Sequence, residues 1–332
     1  MGIFLQVIEK MRGEWSEDTI NDRPYRAMYS SLIGGIILDP ALMVVQMDDH
    51  MVHRGHAVFD TAMIMNGYLY DLDSHLDRFL KSASAAKISP PYPRETLKGI
   101  IVLLAAASEL MSGSIRYWLS AGPGNFSLSP PTIQKPAFYS VAIATKFHRM
   151  PEGVKVITSK IPMKPPRFAT MKTVNYLPNV LSKMEAEEEG AYASIWVDDQ
   201  GFVAEGPNCN IAFVSKEREL LLPKPDKILH GCTAKRLLLL ASRLIKRGSL
   251  KGVAVRDIAI EEAKDSAEML LVSSLIPVMA VVNWDGEPIG DDLCMTEKFW
   301  FISRLSVSND CEACPLEIEG GGHCVELRDC RT

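Results

Sequence analysis

Apolar positions along this chain follow two periods, and the switches between them outline its organisation. Residues 27–71 alternate as strands do, over Met28–Ser31, Ile36–Ile37, Ala41–Met47, Ala57–Asn66 and Tyr68–Tyr70, with Asn66-Gly67 as a hairpin turn. The period then lengthens. A helix capped by Ser74 runs to about Lys87 with Leu76, Phe79, Leu80 and Ala83 inward. Pro90, Pro91 and Pro93 separate it from a second helix over Arg94–Met111, whose inner face is Leu97, Ile100, Ile101, Leu104 and Ala105. Strands Ser114–Ser120 and Ala137–Lys146 flank the loop AGPGNFSLSPP, and the proline-containing stretch 147–170, above all PMKPPR at 162–167, reads as a connector.

Residues 168–190 (FATMKTVNYLPNVLSKMEAEEEG) stand at the centre of the chain's chemistry. Lys172 lies among Phe168, Met171, Val174 and Tyr176, and a helix then begins with Pro178 in its first turn and Gly190 as its stop. Leu177, Val180, Leu181 and Met184 form one face at i, i+3, i+4 and i+7. Beyond it come strands Ala191–Val197, Phe202–Glu205, Asn210–Ser215 and Glu219–Leu222. A long helix starts at Thr233 and stops before Gly248, with Leu237, Leu240, Ala241, Leu244 and Ile245 inward. Val253–Asp257, a short helix Ile260–Asp265, a buried strand Glu268–Ser274 and a last strand Val278–Trp284 complete it. The pattern is α+β in two parts, with a loosely attached leading helix over 1–26, a small domain over 27–150, a larger one over 151–290, and an atypical tail over 291–332.

At 332 residues the chain is long enough for a proper core, and a net charge of −5 argues against a nucleic-acid binder or an anionic membrane surface. Its longest apolar runs, such as 99–107, are too short to span a bilayer. The first residues lack the marks of a signal or transit peptide, which makes the cytoplasm the expected location, or the chloroplast if a leader is missing. Cys209 and Cys232 sit in the body, while Cys294, Cys311, Cys314, Cys324 and Cys330 crowd the tail. With His323 these spell C-x2-C-x8-H-C-x5-C, a spacing too irregular for a standard zinc site. The expected reading is a disordered or alternatively spliced extension and no metal.

A lysine in apolar surroundings is pushed toward the free amine, which can attack a carbonyl, and an aldehyde cofactor is the usual reason to keep one. A cofactor with a pyridine ring and a phosphate needs a carboxylate for its ring nitrogen, and cations, amides and hydroxyls for its phosphate. Glu205 ends a strand in VAEGPNCN. Arg78 lies on the polar side of its helix. Gly231-Cys232-Thr233 opens the long helix, where free amides and the dipole suit an anion. Ser274 ends the last buried strand. Each has an ordinary structural reading when taken singly; their order and spacing single them out.

On HRGHAVFDT (53–61), GYLYDLDSHLDRFLKSA (67–83), MKTVNYLPNVLSKMEAEEEGA (171–191), GFVAEGPNCNIAF (201–213), ILHGCTAKRLLLL (228–240) and SSLIPVMAVVNWDG (273–286), the chain resembles the fold-type IV enzymes that use pyridoxal 5′-phosphate. These include D-amino acid aminotransferases, branched-chain aminotransferases and 4-amino-4-deoxychorismate lyases, and the likeness is greatest to plant D-amino acid transaminases and branched-chain aminotransferase-like proteins. The resemblance implies a small α+β domain and a larger pseudo-barrel domain in a homodimer. It makes Lys172 the Schiff-base lysine and proton shuttle, Glu205 the partner of the pyridine nitrogen and Tyr176 that of the ring hydroxyl. Arg78, Cys232 (through its amide), Thr233 and Ser274 would hold the phosphate, and Phe59 and Leu275 would lie near the substrate.

Three departures bear on substrate. The loop at 119–130 lacks the Arg and His with which bacterial D-amino acid enzymes trap a carboxylate. Phe59 stands where that family has tyrosine, and Pro207 replaces a small residue. The leading expectation is an aminotransferase acting on an amino acid, of D configuration, and a 2-oxo acid. SLIPVM (273–278) resembles the lyase members, so release of pyruvate from aminodeoxychorismate is an alternative. A branched-chain substrate is another, and a cofactor-free binding protein is the non-enzymatic one.

Overall fold

A computed structural model describes residues 24–133, 135–145, 150–275 and 277–290, together with positions 6, 9, 10, 295, 296, 298 and 299. The expected leading helix lies almost entirely outside these residues, as do all five tail cysteines and their proposed disorder.

The first part is a six-stranded antiparallel sheet, ordered β2-β1-β6-β5-β3-β4. Its strands are β1 (Tyr25–Ser30), β2 (Gly35–Ile37), β3 (Ala57–Met65), β4 (Tyr68–Tyr70), β5 (Ser112–Ser120) and β6 (Ala137–Ala144). Asn66 and Gly67 both take positive φ, as their hairpin requires. Two helices, α2 (Leu72–Ala85) and α3 (Arg94–Ala107), cover one face. Phe79 of α2 is fully buried, edge-on to Tyr117 at 4.9 Å. Ser74 does not cap its helix: α2 starts at Leu72, and the Ser74 hydroxyl donates to Asp71 Oδ1 at 2.6 Å.

The expected strand Ala41–Met47 is absent. Pro40–Leu42 forms a 3-10 turn instead, with Asp39 Oδ1 accepting from the Ala41 amide. A short helix that periodicity missed, α1 (His50–Arg54), follows; Asp49 caps it and Gly55 ends it at φ 62.

The second part is a mixed eight-stranded sheet running β11-β10-β9-β12-β13-β7-β8, with β14 paired to β13. Its strands are β7 (Val154–Thr158), β8 (Ala193–Ile195), β9 (Asn210–Val214), β10 (Glu219–Leu222), β11 (Gly252–Val255), β12 (Glu268–Val272), β13 (Met279–Trp284) and β14 (Glu287–Pro288). Its helices are α4 (Pro166–Ala169), α5 (Leu177–Glu188), α6 (Cys232–Lys246) and α7 (Ile260–Lys264). The connector expected over 147–170 therefore hides a strand, β7, and one helical turn, α4. Phe202–Glu205 is not a strand; Phe202 and Val203 make only single bridges, to Ala259 and Val197.

Helix α5 turns its apolar face outward. Leu177, Val180, Leu181 and Met184 are 67%, 49%, 41% and 48% exposed, while Asn179, Ser182 and Ala186 face inward. The inner contacts are polar: Asn179 Nδ2 donates to the Pro207 carbonyl at 2.6 Å, and Ser159 Oγ to Glu185 Oε2 at 2.8 Å. In α6, Ile245 likewise points outward.

Because Phe79 fills the space between α2 and the first sheet, Phe79→Ala should destabilise the protein by about 3–5 kcal/mol, read as a lowered urea midpoint for loss of the native circular dichroism.

Candidate active site

Lys172 sits where the two sheets meet. The Phe59 amide donates to the Lys172 carbonyl at 2.9 Å, the Val174 amide to the Ala57 carbonyl at 3.1 Å, and the Lys172 amide to Ser82 Oγ at 3.1 Å. The lysine backbone is thus held by β3 and α2 of the first part, although its chain continues into α5 of the second. Its Nζ donates to Tyr176 Oη at 3.2 Å and lies 4.8 Å from the centroid of the Phe59 ring. Phe59 and Tyr176 themselves meet edge to face at 5.0 Å. Gly55 touches this wall too: a Cβ there would come within 2.4 Å of Asn175 Oδ1.

Lys172, Tyr176, Glu205, Cys232, Thr233 and Ser274 line one cleft. Leu275, next to Ser274, does not line it, and Phe59 borders it through Tyr176 and Lys172. Glu205 is buried and has no cation within ion-pair distance among the described residues. Its Oε2 accepts from the Leu229 amide at 3.2 Å and from Asn210 Nδ2 at 3.3 Å. Burial pushes its pKa up to about 7, against the opposing pull of the Leu229 amide and of Lys164, Lys172 and Arg78. Asn210 also donates to the Leu229 carbonyl at 2.9 Å, so the loop before α6 is tied to the carboxylate. A Cβ on Gly231 would fall 1.8 Å from Asn210 Oδ1, which leaves room only for glycine. Gly231 is the N-cap of α6 and no side chain caps this end, so the first amides of a 15-residue helix stay open for an anion.

Arg78 does not line this cleft; it lines a neighbouring cavity that shares Leu229, Gly231 and Cys232 with it. Its guanidinium grips Asp60 with two parallel bonds, Nε to Oδ2 at 2.8 Å and Nη2 to Oδ1 at 2.7 Å, and Nη1 donates to the His230 carbonyl at 3.2 Å. His75 Nδ1 lies 2.8 Å from the same carboxylate. Asp60 is wholly buried; burial alone would raise its pKa, but Arg78 and His75 outweigh that and hold it ionised far below the usual carboxylate range. The same carboxylate keeps His75 protonated in spite of its burial.

A model of the family "Amino-transferase class IV" matches residues 57–284. The chain is 58% identical over 268 residues to the chloroplastic D-amino-acid transaminase of Arabidopsis thaliana, spanning 80% of this chain and 72% of that protein. The chain belongs to the class IV aminotransferases. The D-alanine aminotransferase of Bacillus licheniformis is 26% identical over 78% of this chain and 89% of its own length. Among solved structures, the branched-chain aminotransferase of Thermoproteus uzoniensis with norvaline superposes with a TM-score of 0.78 at 22% identity, covering 87% of this chain and 96% of that one. A second branched-chain aminotransferase, solved with pyridoxamine 5′-phosphate, gives 0.79 at 20% identity, over the same shares. At such identities these two likenesses concern the fold, which is that of the fold-type IV enzymes.

Class IV aminotransferases use pyridoxal 5′-phosphate to move an amino group between an amino acid and a 2-oxo acid. The cleft of this class IV aminotransferase fits that cofactor. Its buried carboxylate wants a cationic partner, its helix end is open to a phosphate, and the Lys172 amine lines the same cleft. Sequence reasoning passed over Asp60, Asn210 and Lys164. The first two act through other residues, and Lys164 enters the cleft from the connector. Among the described residues no three His, Cys, Asp or Glu side chains are grouped to hold a metal ion, and no helix is long and apolar enough to cross a membrane.

The raised pKa of Glu205 has a definite sign in stability. The folded chain binds this proton more tightly than the unfolded one, whose glutamate titrates at its ordinary 4.5. In the cofactor-free protein the penalty is absent below pH 4.5, grows as pH rises, and is complete above about 7, amounting to about 3 kcal/mol. Glu205→Gln should flatten this slope, as urea midpoints measured across that range will show.

Proposed function

We propose that this enzyme is a D-amino acid aminotransferase in which Lys172 carries the cofactor and moves the substrate proton. The observation that carries the reading is the Lys172 amine, fixed by backbone bonds from one part of the fold while facing Tyr176, Glu205 and the α6 N-terminus of the other. The D configuration is taken from the Arabidopsis relative's name.

Pyridoxal 5′-phosphate, when bound, supplies an aldehyde carbon and an electron-withdrawing ring. The residues of this chain do the rest. Glu205 gives the ring nitrogen a carboxylate in a buried setting, which relieves its own desolvation. The Tyr176 hydroxyl, already hydrogen-bonded to Lys172 Nζ, meets the ring hydroxyl. The amides of Cys232 and Thr233, the Thr233 and Ser274 hydroxyls and the Arg78 guanidinium hold the phosphate, with Asp60 and His75 keeping that guanidinium in place. Lys172 Nζ takes the proton from the substrate α-carbon and returns it to the neighbouring position. Phe59, against Lys172 and Tyr176, borders the substrate, which is an amino acid or a 2-oxo acid.

Borohydride reduction of the loaded protein followed by peptide mapping should tag the peptide containing residue 172. D-alanine with 2-oxoglutarate should yield pyruvate, and Lys172→Ala should lower kcat by about 10³-fold. A tag elsewhere overturns the assignment. Pyruvate from aminodeoxychorismate without an acceptor, and none from D-alanine, would make the enzyme a lyase.

We also infer a homodimer. Leu177, Val180, Leu181 and Met184 form an exposed apolar stripe, and Phe168, Ile33, Leu38, Val44 and Met47 are exposed as well. A second copy of the chain is the occupant the family supplies. Sedimentation should give a dimer, and Leu181→Glu should shift it to monomer. For location we hold to the cytoplasm, or to the chloroplast named for the Arabidopsis relative if a leader precedes the chain.

A further inference from the structure

We propose that Lys164 forms the carboxylate-binding subsite of this cleft and so makes the enzyme selective for amino acids and 2-oxo acids over simple amines. The proposal rests on the aminotransferase reading above. A substrate of that class brings a carboxylate beside its reacting carbon, and a carboxylate leaving water needs a cation or several donors. The loop 119–130 offers no Lys, Arg or His. Arg78 is taken up by Asp60, by the His230 carbonyl and, in the reading above, by the cofactor phosphate.

Among the described residues, Lys164 is the remaining cation that lines the cleft besides Lys172. It is half-buried, and no carboxylate lies within ion-pair distance of it among the described residues. Its Nζ stands 4.9 Å from the centroid of the Tyr176 ring, and Lys172 Nζ stands 5.7 Å from the same centroid. Both amines therefore attend one aromatic ring, one already bonded to its hydroxyl and the other unpaired.

The backbone aims this side chain. Pro162 and Pro165 bracket Met163 and Lys164 and narrow their conformations. Met163 packs against Trp196, Ala204 and Ile228, next to Glu205 and Leu229. The Ile161 carbonyl accepts from Trp196 Nε1 at 2.8 Å. A lysine on a free loop would have no such anchor on either side. Its field also reaches Glu205, whose ionised form it favours. Arg116, its Cζ 6.0 Å from the Phe59 centroid, is a competitor, but its Nε donates to Thr61 Oγ1 at 3.3 Å and it does not line the cleft.

The test uses full-length holoenzyme with Lys164→Met and Lys164→Arg. Lys164→Met should raise KM for both D-alanine and 2-oxoglutarate by about tenfold or more with kcat little changed. The preference for D-alanine over isopropylamine, in which a methyl group replaces the carboxylate, should fall by the same factor. Lys164→Arg should recover part of both. Propionate, which has the carboxylate but no amine, should bind the wild-type holoenzyme and Lys164→Arg in calorimetric titration and bind Lys164→Met about tenfold more weakly. Unchanged KM values, a loss confined to kcat, or equal propionate binding in Lys164→Met overturns the proposal. So does Arg116→Met producing the KM effect that Lys164→Met lacks. Borohydride tagging at Lys172 in every variant shows that the aminotransferase reading stands independently; an untagged wild type defeats that reading and this subsite with it.

Discussion

Two backbone hydrogen bonds between β3 and the Lys172 segment hold the reactive centre together. The Phe59 amide meets the Lys172 carbonyl and the Val174 amide meets the Ala57 carbonyl, an antiparallel bridge between the small sheet and a chain leading into α5. Lys172 thereby takes its position from one half of the fold, while Glu205 and the α6 N-terminus take theirs from the other. A shear of one sheet past the other would separate the amine from the carboxylate and the helix end it must work with. The Ser82 hydroxyl, bonded to the Lys172 amide, adds a third restraint from α2.

The electrostatics of the cleft follow from burial. Asp60 can stay ionised in the interior because Arg78 and His75 both lie against it, and the guanidinium fork matches its two oxygens. Glu205 has no such partner and holds its proton to about pH 7. Asp60 is matched by its partners and Glu205 holds its proton below about pH 7, so in that range neither carboxylate presents an unmatched negative charge. Such a site suits a phosphorylated cofactor and carboxylate-bearing substrates together.

Helix α5 links the site to assembly. Its inner face is polar because it must satisfy the Pro207 carbonyl, beside Glu205, and the serines near β7 and β8. Its apolar residues are consequently free to cover something outside this chain. The helix that follows the reactive lysine therefore serves the cleft on one side and, in the dimer we propose, a second copy on the other.

Much of the fold is legible in the sequence because it depends on local order. The hairpin at Asn66-Gly67, the amphipathic helices α2, α3 and α6 and the strand Glu219–Leu222 stand close to where periodicity puts them. Lys172, Tyr176, Glu205, Cys232, Thr233 and Ser274 converge on one cleft, as their order along the chain predicts. What sequence could not decide is which surface a neighbour covers. Periodicity finds an apolar stripe on α5 but carries no sign telling whether it faces this chain's core or outward. Strand β7 lies hidden among prolines because its stability comes from parallel pairing with β8 and β13, residues far along the chain. Arg78 needs Asp60 from another element, and Lys164 gains its place only when Met163 packs beside Trp196. Side-chain type and spacing set the available chemistry; contacts between distant segments alone determined which groups face one another.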